Sequence, residues 1–179
     1  MHSIASEAIV LSYKSYSEAD KLVTVFSKDY GMLTFLAKGV KKLKSRKRGA
    51  LELFSIIKFF AKETKGIPLL TEVEIIDNLA FIKDDLKKIS VAYFFAEIVL
   101  RTSGGLEKNS QIYFLLRNYL ERLNHEKSLK KVRSDFSLKL AQILGFIPDD
   151  QFISNPDELL ENIIEKKLSS VRVGKRLQK

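Results

Sequence analysis

Leu22-Val23-Thr24-Val25-Phe26-Ser27, then Lys28-Asp29-Tyr30-Gly31, then Met32-Leu33-Thr34-Phe35-Leu36-Ala37 is the stretch on which the fold of this chain turns. Two β-branched, apolar runs flank four turn-forming residues, and the last of these is a glycine suited to positive φ. The spacing predicts a β-hairpin. Upstream, Ala8-Ile9-Val10-Leu11 has the same character. Downstream, a strand-like run begins at Leu51, is strongest over Phe54–Phe60, and is followed by Leu69–Ile76 after Lys65-Gly66-Ile67-Pro68. Five short strands in about 75 residues suit a small closed or nearly closed barrel, because closure removes exposed edges. An SH3-like barrel or an open sheet is the rival arrangement. Phe59 and Phe60 are adjacent, so only one of them can face a core.

Between the third and fourth strands lies Lys38-Gly39-Val40-Lys41-Lys42-Leu43-Lys44-Ser45-Arg46-Lys47-Arg48, seven cations in eleven residues with no acid among them. Like charges held together repel unless water or a polyanion neutralises them. The whole chain has a net charge of +9 and a pI near 9.6, which points to an anionic partner such as nucleic acid or a membrane surface. A solvated charge run is the plainer alternative. Exposed aromatics beside such cations can stack bases, and Tyr13, Tyr16, Tyr30 and Phe35 are the candidates; Phe35, among apolar neighbours, reads better as core.

From Asn78 onward the apolar period becomes helical: Asp84/Asp85 to Lys88, Ile89 to Thr102, Asn109 to Asn124, Ser128 to Leu144 and Asp157 to Leu168. Ser103-Gly104-Gly105 and Gly145 are stop signals, and Asn155-Pro156-Asp157 is a start. The expected organisation is therefore all-β then all-α, with a boundary near Asp77–Leu79: a nucleic-acid-binding barrel over 1–77 and a helical domain over 78–179. The end from Lys166 to Lys179 carries six cations and no acid, a frayed solvated tail or a secondary phosphate contact.

The 179 residues, 45% apolar and 30% charged, have the composition of a folded globular protein. With no cysteine, disulfides and thiolate metal sites are excluded. The start lacks a signal-peptide pattern, and the longest apolar stretches are too short to span a bilayer, so a cytoplasmic location is expected. Little supports enzymatic chemistry. His2 and His125 are the only histidines, while Asp84/Asp85 and Asp149/Asp150 read as helix-start and loop charges. Gly174-Lys175 lacks the rest of a Walker loop, and neither a Gly-x-Ser-x-Gly elbow nor a dinucleotide fingerprint is found. We expect a non-enzyme without metal or cofactor.

Four segments carry a family resemblance. Tyr16-Ser17-Glu18-Ala19-Asp20-Lys21-Leu22-Val23-Thr24-Val25-Phe26-Ser27 with Gly31, and Ala37-Lys38-Gly39-Val40-Lys41-Lys42 with Ser45 and Gly49-Ala50-Leu51-Glu52-Leu53-Phe54, resemble the opening motifs of the RecO recombination mediators. Tyr93–Ile98 and Phe136-Ser137-Leu138-Lys139-Leu140-Ala141-Gln142-Ile143-Leu144-Gly145-Phe146-Ile147-Pro148 are similar to two helices of that family. The resemblance spans roughly residues 6 to 150.

It implies an N-terminal OB-fold barrel followed by a helical domain. It also implies binding of single- and double-stranded DNA, ATP-free annealing of complementary strands, and action with RecR to load RecA onto strands coated by single-strand-binding protein, in a bacterial, nucleoid-associated setting. Lys38, Lys41 and Lys42 fall on the family's basic motif, and Lys44, Arg46, Lys47 and Arg48 extend it by charge. Tyr13 and Tyr16 are the accompanying DNA-stacking candidates. Lys131 and Arg133 are the nearest match to basic residues that hold the acidic tail of single-strand-binding protein, although Asp135 stands where a cation would match better. Many relatives carry a cysteine-rich zinc module after the Gly145–Pro148 region, and this chain has none. The region after it is short and matches the family's last helix weakly. The alternative is a protein-interaction adaptor whose basic barrel binds RNA.

Overall fold

A computed structural model describes residues 3–102, 108–148 and 153–164. Five strands open the chain: β1 (Ser3–Ser15), β2 (Lys21–Ser27), β3 (Gly31–Ala37), β4 (Ile56–Lys62) and β5 (Leu69–Asp77). They close into a barrel in the order β1-β2-β3-β5-β4. All neighbours are antiparallel except β3 and β5, which meet in parallel at Leu36 and Leu69. That single parallel seam, in a five-stranded closed barrel, is the OB-fold arrangement, and the expectation of an OB barrel followed by helices holds. The SH3-like and open-sheet alternatives fall away.

Closure depends on β1. Its first half pairs with β4 from Ser3 to Ile9, and its second half pairs with β2 from Ala8 to Ser15. A bulge between Val10 and Ser12 bends the strand between these two partners. The β2–β3 hairpin has the expected register, Ser27 opposite Gly31, and Gly31 takes φ +68° as its turn requires.

Alternation fills the barrel. Ile4, Ala8, Val10, Val23, Val25, Phe35, Ala37, Ile57, Phe59, Ala61 and Leu70 point into one apolar cluster. Phe35 and Phe59 pack with ring centroids 4.7 Å apart. Phe35 is thus core, and of the Phe59/Phe60 pair it is Phe59 that lies inside. Full burial of a side chain of this size stabilises by about 1.5–3 kcal/mol.

The strand expected from Leu51 begins only at Ile56. A one-turn helix, α1 (Lys47–Ala50), occupies the preceding segment. Leu51 then turns inward with Ala50 to plug the barrel cluster. Phe54, at φ +69°, reverses the chain so that its N–H donates to the Val10 carbonyl (2.8 Å) and Val10 N–H donates to the Ser55 carbonyl (3.0 Å). Apolar composition over 51–55 therefore signalled a plug rather than a ladder.

The helices are α2 (Ala80–Lys83), α3 (Leu86–Thr102), α4 (Ser110–Arg122), α5 (Leu129–Ile143) and α6 (Pro156–Ile163). The two segments expected around Lys88 are one continuous helix, α3. It starts where Asp85 accepts hydrogen bonds from the Lys87 and Lys88 N–H groups (2.8 and 3.2 Å), the role read for this acid. Those two N–H donors, Lys88 first, hold the Asp85 carboxyl below its ordinary pKa. Ser128 caps α5, and Asn155 caps α6 with Pro156 in its first turn.

Within the helical unit an aromatic cluster of Phe94, Phe95, Tyr119 and Phe136 forms the centre, with Phe95 and Phe136 at 4.1 Å. Among the described residues the chain divides into two compact units, residues 3–79 with 108–113, and residues 80–102 with 114–164. His2, Ser103–Gly105, Asp149/Asp150 and the Lys166–Lys179 tail lie outside the described residues.

Candidate nucleic-acid interface

The basic segment sits on one end of the barrel, and its anchors are apolar. Val40, Ala50 and Leu51 are buried in the barrel cluster, while the cations between them stay outside. Turns shape the segment: Lys42 N–H donates to the Gly39 carbonyl (3.2 Å), Ser45 N–H to the Lys42 carbonyl (3.0 Å) and Arg48 N–H to the Ser45 carbonyl (3.2 Å). Gly39 has φ +67°, a conformation that costs an L-residue roughly 1–2 kcal/mol.

A second element holds this segment in place. The turn between β1 and β2 presents Asp20, whose Oδ1 accepts the Gly39 N–H at 2.8 Å. Lys41 N–H donates to the Ala19 carbonyl at 3.0 Å, and the Lys41 ammonium donates to the Ser17 carbonyl. The two motifs quoted from the sequence are therefore joined in space, the first supplying acceptors and the second donors. The Gly39 N–H is the chief cause that lowers the Asp20 pKa from 3.8, with the Ser17 hydroxyl and the charges of Lys38 and Lys42 acting the same way and partial desolvation opposing them.

The seven cations divide into two groups. Lys38, Lys42, Lys44, Arg46 and Arg48 are exposed and form no ion pair among the described residues. Lys41 and Lys47 are half-buried, and each gives its ammonium to a backbone carbonyl, Ser17 and Leu70 respectively. Burial pushes the Lys47 pKa down, against the attraction of Glu72.

Lys21 joins the patch from β2. It pairs with Ala37, the residue just before the loop, and its pKa is depressed first by burial and then by repulsion from Arg48 and Lys41, with Glu52 opposing. No run of charge or motif position singled out Lys21. Its proximity follows from β2 starting where the loop docks.

Tyr13 is 43% exposed, with the Lys21 ammonium 3.8 Å from its ring centroid, so one face of the ring is covered by a cation. Tyr16, 58% exposed, stands on the β1–β2 turn next to the Asp20 contact. Tyr30 is exposed on the β2–β3 hairpin. Tyr13 and Tyr16 thus adjoin the basic segment, whereas Phe35 lies inside the barrel.

In the helical unit, Lys131 is exposed on the first turn of α5. Arg133 is engaged internally. Its Nε lies 2.8 Å from Asp157 Oδ2, an ion pair rather than a well-directed hydrogen bond, and its guanidinium stacks 3.8 Å from the Phe94 ring centroid. Asp135, the acid noted beside Phe136, faces Arg122 at 3.7 Å. Among the described residues no group of three or more His, Cys, Asp or Glu gathers as metal ligands would, and no helix is long and apolar enough to cross a membrane.

A closed five-stranded barrel with one parallel seam, carrying a cationic segment and followed in the chain by a helical unit, defines an OB-fold protein. Residues 1–79 match the family model for the recombination protein O N terminal, and residues 83–152 match that for the recombination protein O C terminal. The chain belongs to the RecO family. It is similar to the DNA repair protein RecO of Caldanaerobacter subterraneus subsp. tengcongensis, 34% identical over 151 residues, which cover 83% of this chain and 60% of that protein. The RecO protein of Pelotomaculum thermopropionicum is 32% identical over 143 residues, 80% of this chain and 56% of the relative. That of Geobacter metallireducens is 34% identical over 146 residues, 82% and 60% of the two chains. The aligned part of this chain thus spans about three-fifths of the length of these relatives.

Proposed function

We propose that this chain is a non-enzymatic DNA-binding mediator of recombinational repair that anneals complementary single strands without ATP. In the same reading it acts with RecR to help load RecA onto strands coated by single-strand-binding protein. The observation that carries the proposal is the set of five exposed, unpaired cations on a segment pinned to the barrel end. Annealing requires no bond chemistry. A surface that neutralises phosphates on two strands lowers their mutual repulsion and lets base pairing proceed.

Lys38, Lys42, Lys44, Arg46 and Arg48 are the phosphate contacts in this reading, with Tyr13 and Tyr16 beside them for bases. Five contacts on a single strand give a log–log salt slope of roughly −3 to −4. Lys131 is the more accessible of the two residues assigned to the acidic tail of single-strand-binding protein, since Arg133 would first have to leave Asp157.

The test is the rate at which complementary strands, coated with single-strand-binding protein, anneal with and without this chain in the absence of ATP. Acceleration that fades with salt supports the reading, and no acceleration overturns it. Preference for an RNA competitor over DNA of the same sequence would favour the adaptor alternative.

A further inference from the structure

Leu43 stands out on the basic segment because it is 90% exposed, the most exposed large apolar side chain among the described residues. It occupies the first central position of the turn closed by Ser45 N–H and the Lys42 carbonyl, so it projects at the apex between Lys42 and Lys44. Val40 and Leu51, the other two large aliphatic residues nearby, serve as anchors and are buried. Leu43 contributes nothing to the barrel core and offers its full surface to whatever the flanking cations attract. Isolated exposed leucines are common on protein surfaces. This one differs in being fixed at the centre of a seven-cation segment without an acid.

We propose that Leu43 is an apolar wedge that packs against an unstacked base of a single strand while the flanking cations hold the adjacent phosphates. This rests on the polyanion reading above and names a contact it does not require. Apolar side chains that enter a stacked duplex must first separate a base step, at a cost of a few kcal/mol. A single strand already has open steps, so the same contact is favourable there. The wedge therefore gives the cationic segment a preference for single strands over duplex, which phosphate contacts alone lack. A lone leucine is a weak membrane anchor, since stable attachment combines a polybasic patch with a much larger apolar group.

The test compares the full chain with Leu43→Ala and Leu43→Lys, using a fluorescein-labelled oligothymidylate and a hairpin duplex of matched phosphate number over a salt series. Leu43→Ala removes three carbons. If about half their surface is buried on the base, single-strand affinity falls roughly five- to tenfold. Duplex affinity stays within about twofold and the salt slope does not change, because no phosphate contact is lost. Leu43→Lys steepens the slope without restoring the preference for single strands.

An unchanged single-strand affinity in Leu43→Ala, with a salt-dependent wild type, overturns the wedge and leaves the mediator reading intact. Equal losses on single strand and duplex overturn it as well, since they indicate a disturbed segment. A wild type that binds neither probe defeats both readings. Binding to phosphatidylserine vesicles that depends on Leu43, with DNA binding unaffected, would reassign the residue to a membrane surface.

Discussion

The basic segment on the barrel and the arginines of the helical unit use the same side-chain chemistry in opposite ways. In the helices, Arg101 pairs with Glu97, Arg117 with Glu121, Arg122 with Glu126 and Arg133 with Asp157. Three of these are i,i+4 pairs, where the helix itself brings the partner into range. On the segment over 38–48 the chain provides no acid, and the Asp20 carboxylate that reaches it from the β1–β2 turn is taken by the Gly39 N–H. Charge paired within the fold serves the fold, whereas charge left unpaired is available to a partner.

The largest effect that could break this contrast is on DNA binding. Lys38→Ala combined with Lys42→Ala removes two exposed cations and should weaken single-strand binding more than tenfold at low salt. The log–log salt slope should become shallower by about 1.4. Arg133→Ala should leave the affinity within about twofold. Fluorescence anisotropy across a salt series measures both, and a larger loss from Arg133→Ala would reverse the assignment of roles.

Stability should respond the other way. Arg133→Ala takes away the stack on Phe94 and strands Asp157 beside the Ser137 hydroxyl, which donates to its other oxygen. A loss of about 1–2 kcal/mol is expected in urea denaturation. The Lys38 and Lys42 substitutions, on solvated side chains, should stay within about 0.5 kcal/mol. Equal destabilisation by both sets would erase the distinction.

The smallest effect concerns the contact between the two motifs. Asp20→Ala removes the acceptor of the Gly39 N–H, and trypsin should cut faster within 38–48, while Asp20→Asn keeps an acceptor and should resemble the wild type. Because the Asp20 pKa is lowered by folding, its contribution is fully present above the ordinary value of 3.8 and is lost as pH falls through the folded value. The Gly39 amide resonance, followed by NMR, should therefore hold steady at neutral pH and move only below about pH 4. Movement near pH 6 would remove Asp20 as the cause.

Local pattern carried much of this. β-branched, apolar runs bounded by turn residues marked the five strands, and Gly31 marked the hairpin because its backbone conformation disfavours residues with a Cβ. Asp85 was readable as a helix start for the same local reason. The run over 51–55 was not readable in this way, since apolar composition reports burial and is silent on whether the backbone joins a ladder. Phe54 at positive φ is set by closure around Val10, a contact 44 positions away in sequence.

The same division applies to the site. By itself the sequence determined an all-β then all-α order, a cationic segment after Ala37 and a match to the family's motifs, because composition and spacing are properties of neighbours along the chain. Only the tertiary structure decided which cations are free. Lys41 and Lys47 differ from Lys42 and Arg48 because the carbonyls of Ser17, on the β1–β2 turn, and Leu70, on β5, arrive beside them. Lys21 enters the patch and Arg133 is drawn into the fold for the same reason: pairing depends on distance in space, and barrel closure and helix packing set that distance.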